Sequence, residues 1–209
     1  MPQHNPLVYV VDDDSAIRET LSSLLRSVGL TVRGFASAAE FMAFERPDVP
    51  SCLVLDVRLP GQGGLEFQRQ LTAADDPMPV IFISGHGDIP MSVRAIKAGA
   101  LEFLTKPFRD QDLLDAIQAA INRDTFRREN ERVTQALRLR YQTLSPRERQ
   151  VLSLLLTGQQ NRQIAAAIGA SESTIKVQRM QVMRKMEASS LVELVRMADG
   201  LGLKAAAPG

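Results

Sequence analysis

Cysteine, leader-like segments and long apolar runs are what this chain has least of, and each shortage removes a class of protein. Cys52 is the single cysteine, which excludes an intrachain disulfide framework and favours a reducing compartment. No apolar run approaches the roughly 20 residues needed to cross a bilayer. The opening MPQHNP lacks a basic and then apolar leader pattern. A cytoplasmic protein with no membrane partner is expected. The 209 residues, 44% of them hydrophobic, suffice for one large domain or two smaller ones.

The net charge of +1 conceals an asymmetry. Residues 1–121 hold 10 Lys or Arg against 16 Asp or Glu, a net of −6, whereas 122–209 hold 15 against 8, a net of +7. An acidic half followed by a basic half suggests two modules, the second with a polyanionic partner.

Asp56 organises the first half. It closes the apolar run Leu53-Val54-Leu55 and precedes Val57-Arg58-Leu59-Pro60-Gly61, so a buried strand delivers a carboxylate to a surface loop. Similar runs end in Asp12-Asp13-Asp14, in Ser84 and in Thr105-Lys106-Pro107. Between them Ile17, Leu21, Leu24, Leu25 and Val28 recur at helical spacing until Gly29. Further helices are expected over 38–45, 64–74 and 90–98, strands over 31–35 and 102–105, and a last helix carrying Leu113, Leu114, Ile117 and Ile121. Five βα units in this space predict a doubly wound parallel sheet.

Residues 122–143 contain neither Gly nor Pro and predict a helical linker. Phe126, Asn130, Val133, Leu137, Arg140 and Leu144 step by four and three, which fits a solvated spacer or a short parallel dimer seam. From 144 the chain reads as four helices. Ser145-Pro146-Arg147-Glu148 is a capping box with proline at the first helical position, and Asn161 is expected to cap the second helix. A third helix, over 172–187, follows the second after only Gly169-Ala170-Ser171. Ser190 and Glu193 form a second capping box for the fourth. A tight turn before a cationic helix predicts a helix-turn-helix. Lys176, Arg179, Met180, Arg184 and Lys185 lie opposite Ile175, Val182 and Met186, and 204–209 is expected to fray.

Strand ends are where parallel sheets carry their chemistry. Asp12, Asp13 and Asp56 would gather hard oxygen ligands with no cysteine and little histidine nearby, which favours Mg2+ or Mn2+. A carboxylate can attack phosphorus when cations neutralise the transferring group. Ser84 could then hydrogen-bond a phosphoryl oxygen and Lys106 pair with one, whereas His86, in Gly85-His86-Gly87-Asp88, reads as a turn residue. A haloacid-dehalogenase-type phosphatase would need a second Asp two positions after the first, and Arg58 stands there.

On VVDDD, LVLDVRLPG, ISGHGD and KPF, residues 7–121 resemble the receiver domains of two-component response regulators. The resemblance implies a flavodoxin-like sheet with Asp56 as phosphoacceptor. Asp13, Asp56 and the carbonyl of Arg58 become direct Mg2+ ligands, and Asp12 acts through water. Ser84 and Lys106 become the switch hydroxyl and the lysine, Phe103 the rotating aromatic, and Lys106-Pro107 a cis bond. Ser84 replaces the commoner threonine.

On LSPRERQVL, NRQIAAAIGASESTIKVQRMQVMRKM and SLVELVRMA, residues 144 to about 203, in a domain expected over 144–209, resemble the LuxR and NarL output domain, and the whole chain the FixJ subfamily. This places Lys176, Val177 and Met180 at the bases, and Thr174, Arg179, Arg184, Lys185, Asn161 and Arg162 at phosphates. It makes Leu191, Leu194 and Val195 of the fourth helix dimerisation residues. Gln178 departs from the usual histidine. The implied partners are a sensor histidine kinase, promoter double-stranded DNA, a second copy after phosphorylation and RNA polymerase. An RNA- or protein-binding tail is the alternative that the helix-turn-helix argues against.

Overall fold

Strands β1 (Leu7–Val11), β2 (Thr31–Phe35), β3 (Ser51–Asp56), β4 (Val80–Ser84) and β5 (Glu102–Thr105) form a parallel sheet in the order β2-β1-β3-β4-β5. The computed structural model describes residues 5–85 and 89–203, so the His86 turn and the fraying of 204–209 lie outside the described residues. This flavodoxin-like order reverses direction between β1 and β3, the switch point at which such sheets bind ligands. Val11 pairs with Leu55, so β1 and β3 run side by side to Asp12 and Asp56.

Helices α1 (Ser15–Ser27), α2 (Ala38–Ala43), α3 (Gly64–Ala73) and α4 (Ile89–Lys97) alternate with the strands. Side chains along each strand alternate between the two faces of the sheet. Tyr9, Leu53, Leu55 and Phe82 therefore pack with Phe41 of α2 and Phe67 of α3. Val8, Val10, Val54, Ile81 and Ile83 pack on the other face with Leu21 and Leu25 of α1 and with Leu113 and Ile117. Helix α2 stops at Ala43, short of the expected 45. Phe44 leaves the helix to join Tyr9 and Phe35, with ring centroids 6.2 and 5.5 Å away.

The last helix of the α/β half and the linker are one element, α5 (Asp110–Gln142). The compact units part between Arg128 and Glu129. Asp124, 1% exposed, accepts the Ser51 N–H at 2.9 Å and hydrogen bonds from Arg127 and Arg128. Arg128 also pairs with Asp48. Burial opposes the Asp124 charge, but its two arginines and the Ser51 N–H outweigh it and hold the carboxyl below its ordinary range.

The second unit contains α6 (Pro146–Leu156), α7 (Asn161–Ile168), α8 (Glu172–Met186) and α9 (Leu191–Gly200). Val151, Leu152, Leu155, Ile164, Ile175, Val182, Met186 and Leu194 form its core with Leu144. The end of α5 belongs here too. Leu137 is buried, Arg140 pairs with Glu187 at 2.5 Å, and the Arg149 guanidinium lies 5.1 Å from the centre of the Tyr141 ring. The expected heptad row is thus divided, with Leu137, Arg140 and Leu144 engaged inside the chain and Phe126, Asn130 and Val133 exposed. It offers no continuous dimer seam.

The capping box at Ser145 is complete: Ser145 Oγ accepts the Glu148 N–H, and Glu148 Oε2 accepts the Ser145 N–H. Two other caps differ from expectation. Gln160 rather than Asn161 caps α7, its N–H donating to Gln163 Oε1 at 2.8 Å. Ser190 accepts from Glu193 N–H, but the Glu193 carboxylate reaches back to Ser189, N–H and hydroxyl alike, so the second box is not reciprocal.

Candidate functional site

At the switch point, Lys106 Nζ lies 2.9 Å from Asp12 Oδ2 and 3.1 Å from Asp56 Oδ1. The remaining oxygens are held by the backbone. Asp12 Oδ1 accepts the Asp14 N–H at 2.9 Å and Asp56 Oδ2 accepts the Arg58 N–H at 2.7 Å. Both carboxylates are buried, whereas Asp13 and Arg58 are exposed. Among the described residues no three acidic, His or Cys side chains converge closely enough to hold a metal ion. The expected trio is a lysine-bridged pair with Asp13 exposed beside it. One or two carboxylates, a carbonyl and waters are what Mg2+ takes, so the donor set fits that ion.

The charges are shared unequally. Burial raises the Asp56 carboxyl above its ordinary range, because Lys106 and the Arg58 N–H offset only part of the cost and Asp12 repels it. Burial opposes the Lys106 charge as well, yet two carboxylates outweigh it and raise the ammonium. One cation serves two anions. Asp56 thus retains uncompensated negative charge in a place where a metal cation would relieve it.

Ser84 is 1% exposed and its carbonyl accepts the Lys106 N–H at 2.7 Å, so the ends of β4 and β5 are joined beside Asp56. The Lys106-Pro107 bond is cis. Phe103 is half-buried, 6.2 Å from Phe82 between ring centroids. Three supporting residues escaped sequence reasoning. Asp14 caps α1 through the Ala16 and Ile17 N–H groups, a placement that an acid before a helical pattern signals. Arg18 reaches the Asp12 and Asp13 carbonyls. Gly64 opens α3 so close to Asp56 that a Cβ there would fall 2.3 Å from the Asp56 carbonyl oxygen.

In the second unit, Gly169 (φ +64°) closes α7, and Ser171 caps α8 by accepting the Thr174 N–H. Thr174, Lys176, Val177, Met180 and Arg184 are exposed along α8, as is Arg162 on α7. Arg179 and Asn161 are half-buried and in contact at 3.4 Å. Lys185 departs from the phosphate-contact expectation: its ammonium is 2.6 Å from Glu148 Oε2 and 3.1 Å from the Thr143 carbonyl. The Lys185 hydrogen bond, aided by Ser145 against the cost of burial, holds the Glu148 carboxyl low. Leu194 is wholly buried in its own core, so the dimerisation role expected for it falls away, and Val192 is the exposed apolar residue of α9.

A lysine-bridged carboxylate pair at a sheet's switch point, followed in the same chain by a helix-turn-helix, defines a signal-receiving protein with a nucleic-acid-binding output. Family profiles match in that order. "Response regulator receiver domain" covers residues 8–118 and "Bacterial regulatory proteins, luxR family" covers 142–198. The chain is similar to Nodulation protein W of Bradyrhizobium diazoefficiens, 53% identical over 95% of this chain and 88% of that protein. It is 46% identical to the transcriptional regulatory protein FixJ of Azorhizobium caulinodans over 95% and 93% of the two chains. The solved response regulator StyR superposes with a TM-score of 0.86 at 47% identity, over 93% of this chain and 98% of that one. The chain belongs to the response regulators with a LuxR-type output domain, in the FixJ group. It is a two-component transcriptional regulator and not a classical enzyme. Among the described residues no helix is long and apolar enough to cross a membrane.

Proposed function

We propose that Asp56 accepts a phosphoryl group from a sensor histidine kinase and that the modified receiver controls promoter binding by the output domain, as an activator in the cytoplasm. The observation that carries this reading is the single Lys106 ammonium shared by Asp12 and Asp56. A nucleophilic carboxylate stands next to a cation that can pair with an incoming phosphoryl oxygen. Mg2+, which Mn2+ can replace, would be held by Asp13, Asp56 and the Arg58 carbonyl, with Asp12 acting through water. When bound it supplies charge neutralisation for the phosphoryl oxygens.

An Asp56 oxygen bonds to phosphorus as the bond from phosphorus to the kinase histidine breaks. Lys106 swings its hydrogen bond from Asp56 to a phosphoryl oxygen, Ser84 donates to another, and Phe103 packs inward behind it. The reshaped face of α4, β5 and α5 then pairs two receivers, bringing two output domains to paired half-sites. Lys176, Val177 and Met180 face the bases, whereas Thr174, Arg179, Arg184, Asn161 and Arg162 hold phosphates. RNA polymerase is the final partner. Moving such an equilibrium from 1:99 to 99:1 takes about 5.5 kcal/mol, so receiver pairing adds to what the phosphoryl group supplies.

The test is transfer of labelled phosphate from an autophosphorylated histidine kinase, followed by sizing and promoter footprinting of the same sample. Wild type should take label, dimerise and protect DNA, and Asp56→Asn should do none of these. Label accepted by Asp56→Asn at the wild-type rate would overturn the assignment.

A further inference from the structure

Arg18 approaches the acidic loop from the first turn of α1. Its Nη1 donates to the Asp12 carbonyl at 2.7 Å and to the Asp13 carbonyl at 3.0 Å. Asp12, Asp13 and Asp14 follow one another without a break, and their carboxylates repel each other. Other contacts already fix the side chains at either end of this run. Asp12 is held by Lys106 and the Asp14 N–H, and Asp14 caps α1. Asp13 between them is exposed, and the peptide after it is held from both sides, its N–H donating to Asp12 Oδ1 and its carbonyl accepting from Arg18.

We propose that Arg18 is a positioning residue for divalent-cation binding: by gripping two successive carbonyls it fixes the backbone that carries Asp12 and Asp13 beside Asp56. This rests on the acceptor reading above. Two effects oppose each other. A guanidinium near the site repels an incoming cation, whereas the pinned backbone spares the cation the cost of ordering the loop. Arg18 is half-exposed, so solvent and salt screen its charge from the site. Loss of a residue that orients metal ligands typically weakens metal affinity by about 10- to 100-fold. The sign of the change in affinity on removing Arg18 decides between the two.

The experiment titrates the full-length chain with Mn2+ and reads the free ion by electron paramagnetic resonance, with circular dichroism on each sample. Arg18→Ala should weaken Mn2+ binding by about tenfold with an unchanged metal-free spectrum. Arg18→Lys, which keeps the charge but has a shorter side chain that reaches the two carbonyls less well, should fall between Arg18→Ala and wild type. Should Arg18→Ala fail to fold, Arg18→Lys carries the test alone, with weaker binding still expected. Arg26→Ala, on the same helix, should bind as wild type does. Wild-type or tighter binding by the Arg18 variants would overturn the inference, because tighter binding is what charge repulsion alone gives. A wild-type chain with no Mn2+ affinity would instead remove the acceptor reading beneath it.

Discussion

The side chain of Asp124 accepts the main-chain N–H of Ser51, the first residue of the strand that ends in Asp56. β3 is therefore held at both ends by charged groups. Lys106 meets its acidic tip, and the foot is fastened to α5 through a buried carboxylate between two arginines.

Asp124→Ala leaves Arg127, Arg128 and the Ser51 N–H without their shared acceptor. Breaking a buried pair from one side costs about 3–5 kcal/mol. Urea unfolding of the full chain should show a loss of that order in the receiver transition, and a change under about 1 kcal/mol would mean that water replaces the carboxylate.

Acid should act on the same link. The Asp124 carboxyl is depressed in the folded chain, so its stabilisation is complete above the unfolded carboxylate value of about 3.9. It is lost as pH falls from there through the lower folded value. On acidification through and below that unfolded value, wild type should lose more receiver stability than Asp124→Asn does, as followed by thermal melts in matched buffers.

Gly64→Ala would drive a methyl group into the Asp56 carbonyl, a backbone atom that cannot rotate away. Overpacking of this kind costs about 1–3 kcal/mol. It should also slow phosphoryl uptake by moving the acceptor strand against α3. Unchanged uptake from a small phosphodonor, with unchanged melting, would show that α3 shifts freely.

The cations of α8 should separate into three kinds. Lys176→Ala should change sequence preference by about 1–3 kcal/mol if it makes a base contact. Arg184→Ala should weaken specific and random DNA alike and reduce the salt slope by about one. Lys185→Ala should leave that slope intact and lower the melting temperature of the output domain, since its ammonium is bound to Glu148 and Thr143.

The receiver fold was legible because its strands are short, apolar and β-branched and most of them end in a polar residue; periodicity and turn chemistry report such features directly. Asp12, Asp56, Ser84 and Lys106 were legible for the same reason, as each stands where a strand stops. What stayed hidden depends on side-chain reach. Arg184 and Lys185 are adjacent in sequence and alike in charge, yet the first is exposed and the second is bound to Glu148. Asp124 lies in a polar stretch that reads as linker, and only its burial between Ser51 and the arginines reveals it. Leu137 and Leu144 fit a heptad as well as they fit a core, because both demand apolar residues at the same spacing.

The continuity of α5 has a practical bearing on chimeras. A fusion that joins a foreign output at residue 121 discards Asp124 and loosens the receiver, and one that starts the output at 144 discards Leu137, Arg140 and Tyr141, which pack against it. Exchange at the Arg128 and Glu129 junction, with the helical register preserved, leaves each half its own anchors.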